Sequence, residues 1–174
     1  MISESDIVFE QVEHSNKDLM NNLWQFYELE SSFWSETDID DSGKYTSLES
    51  FLERLGKEDA FDQGFIIRYQ TNIAGFVVVA DEILNGQHIR EFADMYVLPK
   101  YRGLGITTAV IHRLILKTNH PWLICVYRKD EMAIKFWTNA FKRLPFTSIR
   151  ENNPPEIEEF HEFIVNDAEL VHLQ

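Results

Sequence analysis

The stretch 97–110, Val-Leu-Pro-Lys-Tyr-Arg-Gly-Leu-Gly-Ile-Thr-Thr-Ala-Val, constrains the fold of this chain more than any other part of it. An apolar run over 89–98 leads into Pro99. A basic turn holding Gly103 and Gly105 follows, and then a helical pattern over 104–118. Strand, glycine turn, helix is an order that builds a pocket for an anion. Glycine lets the backbone approach a ligand with no Cβ in the way. The N–H groups of a first helical turn lack partners inside the helix, and together with the helix dipole they hold phosphate. Lys100 and Arg102 add full positive charge.

On these residues the chain resembles the GNAT superfamily of N-acetyltransferases. The signature loop of that superfamily, Gln/Arg-x-x-Gly-x-Gly/Ala, cradles the pyrophosphate of acetyl-CoA. Arg102, Gly105 and Thr107 fall on its positions, with Thr107 in place of the last small residue. The resemblance implies that Arg102, Gly103, Leu104, Gly105, Ile106 and Thr107 bind acetyl-CoA as co-substrate. It also implies that backbone groups near Met95 and Val97 bond the pantetheine and polarise the acetyl carbonyl. A second match follows a short apolar strand over 122–127. The superfamily often shows Asn-x-x-Ala-x-x-x-Tyr there, its Asn on the pantetheine arm and its Tyr protonating the departing thiolate. This chain keeps Ala133 but has Asp130 for the Asn and Trp137 for the Tyr. An ionised Asp accepts hydrogen bonds and donates none. Trp releases no proton near neutral pH, so Tyr127 or solvent is the alternative acid, and Trp137 also reads as a core aromatic.

The resemblance covers roughly 7–166 and implies one domain over 1–174. The fold class it implies is mixed α/β: a central, mostly antiparallel, twisted sheet of six or seven strands flanked by helices. Residues 24–43 also loosely resemble a subgroup of predicted bacterial GNAT acetyltransferases of unassigned substrate. Periodicity gives the same elements in outline. A strand is expected over 7–12. A helix over 17–33 should carry Leu19, Leu23, Phe26, Tyr27 and Leu29 at helical spacing as its apolar face. A second helix over 46–55 has Thr46 or Ser47 as N-cap. A hairpin over 64–80 turns at Thr71-Asn72. After the glycine loop come the helix 104–118, a strand 122–127, a helix 130–143 and two closing strands, 146–150 and 160–165.

With 174 residues, 44% apolar and 13% aromatic, the chain can bury a sizeable core and is not of the disordered class. Its longest apolar stretch, 73–80, is too short to span a bilayer. One cysteine, Cys125, cannot pair within the chain, and a reducing cytoplasm is the simple expectation. The net charge is −13, unevenly spread. Residues 1–64 carry 16 acidic and 4 basic side chains, whereas 98–150 carry 2 acidic and 10 basic. The basic segment is the one that resembles the half binding polyanionic CoA. An acidic remainder suits a cationic acceptor steered in by the field, or simply keeps the protein soluble. Nucleic acid would need a basic face.

In the resemblance the acceptor lies by the first two helices and their connection, so Trp24, Tyr27, Trp34, Asp38 and Asp40 are the candidates to bind it. Residues 38–49 also match the spacing of an EF-hand loop, with oxygen side chains at positions 1, 3, 5, 9 and 12 and Gly43 at position 6. The preferred expectation is an acidic connection that binds no metal. The six histidines show no metal-binding spacing. For the base, Glu91 stands six residues before Val97, the spacing used by some protein-acetylating members of the superfamily. Asp94 is the second candidate. Three residues apart on a strand, the two point to opposite faces. These readings converge on an acetyl-CoA-dependent N-acetyltransferase. Direct transfer in a ternary complex would acetylate a primary amine of a small cationic acceptor of aminoglycoside or polyamine type. The alternatives are a protein-amine acetyltransferase and a non-catalytic CoA- or calcium-binding module. No nucleic-acid or membrane partner is expected, and a homodimer is left open.

Overall fold

The computed structural model of the chain describes residues 6–55, 62–118 and 120–167. They form seven strands and four α-helices. The order is β1 (Ile7–Gln11), α1 (Lys17–Ser35), α2 (Glu49–Arg54), β2 (Gln63–Tyr69), β3 (Asn72–Leu84) and β4 (Gln87–Val97). Then follow α3 (Ile106–Ile111), β5 (Trp122–Tyr127), α4 (Glu131–Arg143), β6 (Ile149–Asn152) and β7 (Phe160–Val165). The strands form one open sheet in the order β1-β2-β3-β4-β5-β7-β6. Pairing is antiparallel for β1 with β2, β2 with β3, β5 with β7 and β6 with β7. It is parallel for β4 with β5, at Arg90–Trp122 and Glu91–Leu123. This is the mixed α/β architecture expected, a seven-stranded open sheet with helices. The chain divides into two compact units, one made of residues up to 79 with 94–104, the other of 80–93 with the chain from 105 onward.

In the first unit, α1 packs through Met20, Leu23, Trp24 and Ser31. Phe26 and Leu29, expected on that face, are exposed instead. The buried stripe is rotated toward Trp24 because its indole packs at a tilt against Tyr27 and Phe76, at 4.7 and 5.8 Å between centroids. The chain after α1 is strapped along it by side chains. Trp24 Nε1 donates to the Thr46 carbonyl, Gln25 exchanges bonds with Tyr45, and Asn21 Oδ1 accepts from Leu48 N. That strap holds 45–48 out of helix, so α2 starts at Glu49 and neither Thr46 nor Ser47 is its N-cap. The β2–β3 hairpin turns at Gln70-Thr71, one residue earlier than expected. Gln70 takes φ 57° and donates its N–H to the Asp6 carbonyl, and Asn72 already pairs with Tyr69. The register slips between Ile67 and Arg68, which bulges β3 at Ala74. The Ala74 carbonyl takes the N–H of Leu98, and Gly75 lies directly against the Tyr96 carbonyl.

In the second unit, Ile111, Ile115, Trp122, Ile124, Ile164 and Val165 are buried. The helix expected over 104–118 begins later, because Gly103 and Gly105 hold φ of 76° and 91°. After Ile111 it widens into a π-helical turn, His112–Leu116, closed by Lys117 N on the His112 carbonyl. The strand expected over 146–150 is shifted to 149–152. Phe146 instead packs edge-on against Phe141, and Thr147 N donates to Asn166 Oδ1.

Candidate active site

Consider first the face of α1 that carries Trp24, Tyr27, Glu28 and Ser31, spaced i, i+3, i+4 and i+7, so that one helix side presents them all. Tyr27 donates its hydroxyl to Asp94 Oδ1 at 2.7 Å. Aromatic rings surround the pair: Tyr27 meets Phe76 and Tyr96 edge-on at 6.0 and 6.4 Å, and Phe76 meets Tyr96 at 6.2 Å. Burial raises the Asp94 carboxyl above the ordinary aspartate range, and the Tyr27 hydrogen bond opposes the rise. Glu28 is raised as well, first by burial and then by the charge of Asp94, with the Trp24 indole opposing. Two carboxyls with raised pKa beside a phenol mark this face of α1 as a candidate site of proton transfer. Tyr27 and Asp94 were separate expectations from the sequence, and the structure brings them together. Glu28 was missed. Its signal was the helical spacing with Trp24 and Tyr27, which an apolar-only reading of α1 passes over.

A second carboxylate on α1 reaches the basic turn. Glu30 Oε1 accepts from the Tyr96 hydroxyl at 2.9 Å, and both Glu30 oxygens accept from Arg102 Nη2, at 2.9 and 2.7 Å. Arg102 also donates Nε to the Val97 carbonyl at 2.8 Å. The Tyr96 phenol is pushed up to about 12, chiefly by burial and then by Glu30. After the 3₁₀ turn Pro99–Tyr101, Arg102 is extended, and the two left-handed glycines steer the chain into α3. A Cβ built on Gly103 or Gly105 would meet nothing within 4 Å. The backbone there borders open space, as a diphosphate cradle requires. Leu104 is exposed, Ile106 is buried, and Thr107 is partly buried. Met95 and Val97 are partly buried on β4.

Glu91, Tyr127, Asp130 and Trp137 lie in the second unit. Glu91 has the Cys125 thiol as a hydrogen-bonding neighbour. Burial first, then Glu91, drives that thiol's pKa far up, which makes it inert as a nucleophile. Trp137 is buried within a cluster of Phe92, Phe136 and Phe141, at 5.4–5.6 Å between centroids. Because Phe92 and Glu91 alternate along β4, Trp137 packs on the sheet face opposite Glu91. With Val126, Phe141, Phe163, Glu151 and His161 it lines a half-open cavity of about 180 Å³. Tyr127 is partly buried and edge-on to Phe160. Asp130 uses its carboxylate as the N-cap of α4, Oδ1 accepting from Ala133 N at 2.9 Å. Back in the first unit, Trp34 is partly buried at the end of α1. Asp38 and Asp40 are exposed, and Asp40 accepts from Ser42 N, Ser42 Oγ and Lys44 N in a self-bonded turn. Among the described residues no group of three His, Cys, Asp or Glu side chains could hold a metal ion, and no helix is long and apolar enough to cross a membrane.

No curated protein matches the sequence. Solved structures share the fold at low identity. An acetyltransferase from Thermus thermophilus superposes with a TM-score of 0.63 at 12% identity, covering 91% of this chain and 95% of that one. A mutant of the spermidine N-acetyltransferase SpeG from Vibrio cholerae gives 0.59 at 16%, covering 98% and 99%. Naa50 from Arabidopsis thaliana, solved with the bisubstrate analogue CoA-Ac-MVNAL, gives 0.52 at 18%, covering 92% and 97%. The model of the acetyltransferase (GNAT) family matches residues 23–142, more than half of the 174, and the chain belongs to that family of acetyl-CoA-dependent N-acetyltransferases.

Proposed function

We propose that this enzyme acetylates a primary amine of a small cationic acceptor, with Asp94 as the proton acceptor. The observation that carries the reading is the Tyr27–Asp94 hydrogen bond beside Glu28, with the carboxyls of both acids raised by burial. Acetyl-CoA, held by backbone N–H groups of the 102–107 loop, supplies an activated acyl carbonyl. An amine acceptor arrives protonated and must lose a proton before it can attack. Asp94 suits that task. Its pKa is displaced toward the operating pH, where a general base is most effective, and Tyr27 stabilises its ionised form. The partly buried Tyr27 ring offers a π face to a positively charged chain, and Glu28 offers the second carboxylate that a diamine or polyamine would use. The likeness in fold to a spermidine N-acetyltransferase supports an amine of this kind. A peptide amine is the competing acceptor.

Spacing before Val97 favoured Glu91 as base. The reading now passes to Asp94, because Glu91 has the high-pKa thiol of Cys125 as its neighbour while Asp94 has the phenol and the second acid. The test is turnover of acetyl-CoA against polyamines, aminoglycosides and short peptides, with Asp94→Asn and Glu91→Gln alongside wild type. Polyamines should be the best acceptors. Asp94→Asn should lose about 10²-fold in kcat, the usual scale for a general base, and Glu91→Gln should stay within a few-fold. The reverse pattern returns the base to Glu91. Turnover of peptides alone replaces the acceptor class.

A further inference from the structure

Within the turn that the proposed function makes the cofactor loop, the basic residue is already engaged. Arg102 turns its guanidinium back along β4, with Nε on the Val97 carbonyl at 2.8 Å and Nη2 on both oxygens of Glu30. Its guanidinium carbon lies over the Tyr96 ring, 5.3 Å from the centroid. Tyr96 closes the triangle by donating its hydroxyl to the same Glu30 oxygen that accepts from Nη2. Three elements meet in this triangle: α1 through Glu30, the end of β4 through Tyr96, and the basic turn through Arg102, which is also held by the Val97 carbonyl.

We infer that Glu30 is a positioning residue, and that Arg102 serves the cofactor as a strut fixing the loop backbone and not as a direct ligand of its phosphates. The inference rests on the reading of 102–107 as the acetyl-CoA loop. Simple ion-pair attraction is too weak to carry this role. The Arg102 and Glu30 side chains are 38% and 43% exposed, and exposed pairs contribute little. Geometry carries it. A planar guanidinium with Nε and Nη2 committed to two fixed acceptors has one orientation, and that orientation sets where the chain enters Gly103. Lysine could keep the charge but not the two-point hold. The same triangle ties the helix that bears Tyr27 and Glu28 to the loop, so an acceptor that shifts α1 would alter cofactor affinity, and the cofactor would alter acceptor affinity by the same factor.

The experiment is calorimetric titration of CoA into wild type, Glu30→Gln, Arg102→Ala, Arg102→Lys and the Glu30→Gln/Arg102→Ala double variant, with acetyl-CoA KM and kcat measured on each. A strut predicts that Glu30→Gln weakens CoA by about tenfold, the scale of a hydrogen bond to a charged group. It predicts that Arg102→Lys is as weak as Arg102→Ala, and that the double variant is no weaker than Arg102→Ala alone. The KM for acetyl-CoA should rise while kcat holds. Tyr96→Phe, which keeps the ring and removes one donor, should move affinity the same way by less. A direct phosphate ligand predicts the opposite: Glu30→Gln binds CoA as well as or better than wild type, and Arg102→Lys retains affinity. Either result overturns the inference. Gly105→Asp separates this failure from failure of the cofactor reading. Its added side chain and negative charge should abolish binding, and undiminished affinity would show that the loop is not the cofactor site.

Discussion

A carboxyl whose ionised form is disfavoured by burial weakens the fold whenever it is charged. Asp94 is such a group, its pKa raised chiefly by burial. A raised folded pKa contributes stability that is full below the unfolded value, about 3.9 for aspartate, and is lost as pH rises through the folded value. Asp94→Asn keeps an acceptor for the Tyr27 hydroxyl and removes the charge. Scanning calorimetry should therefore show the variant melting above wild type at pH 7 and level with it near pH 3, while its turnover falls. A variant that melts lower than wild type at pH 7 would mean that the ionised carboxylate is well accommodated, and Asp94 would lose its claim to a raised pKa. Activity of the wild type should rise with pH on its acidic limb as Asp94 gives up its proton. The sequence made Tyr27 and Asp94 separate candidates, but not their bond. They are 67 positions apart, and no periodicity within α1 or β4 reports which rung of one meets which rung of the other. Glu30 carried no signal of its own, because an acidic residue on a helix reads as solvated until a partner is known, whereas Glu28 was marked only by its spacing from Trp24 and Tyr27.

Elements were legible where their signals were local. The glycine turn and the run into Pro99 both follow from residues within a few positions of one another. Boundaries set by distant partners were not legible, as the late start of α2 shows, since side chains of α1 hold 45–48 out of helix. One strong local signal was passed over. Asn85-Gly86 is the pair that favours a tight hairpin, and both residues take positive φ, 51° and 79°, between β3 and β4. The bulge at Ala74 brings the backbone of Gly75 against the Tyr96 carbonyl, where a methyl group has no room. Gly75→Ala should destabilise by about 1–3 kcal/mol, the range for overpacking, read as a lower denaturant midpoint. An unchanged midpoint would show that β3 can move aside at no cost. Asp130→Ala, at the start of α4, should lose about 1 kcal/mol as an N-cap, whereas Asp130→Asn should keep it, since Asn caps as well. If the alanine variant instead keeps its stability and loses CoA affinity, Asp130 belongs to the cofactor and the capping bond is incidental.

Over the whole molecule the separation of charge matters more than its total. The acidic excess of 1–64 includes Asp38, Asp40 and Asp41, in the connection between α1 and α2. Exposed carboxylates of one sign raise the local concentration of a cation without fixing its pose. They should therefore act on capture of the acceptor and leave the chemical step alone. Asp40 is a poor probe of this. Its carboxylate accepts from Ser42 and Lys44, bonds that hold its pKa below the usual aspartate range, so replacing it also rebuilds the turn. Asp38 and Asp41 change the field with less disturbance. Asp38→Asn with Asp41→Asn should raise the acceptor KM several-fold with kcat little changed, the pattern of lost uniform binding. The increase should shrink as salt is added, because exposed charges are screened beyond about 10 Å at 0.1 M. A KM indifferent to both substitutions and salt would reduce this acidic run to ordinary solvated surface, and the case for a cationic acceptor would then rest on Asp94 and Glu28 alone. Calcium provides the opposing measurement. A stoichiometric micromolar isotherm that vanishes in Glu49→Gln would give 38–49 to a metal, and the rise in KM would then have to be sought in apo protein.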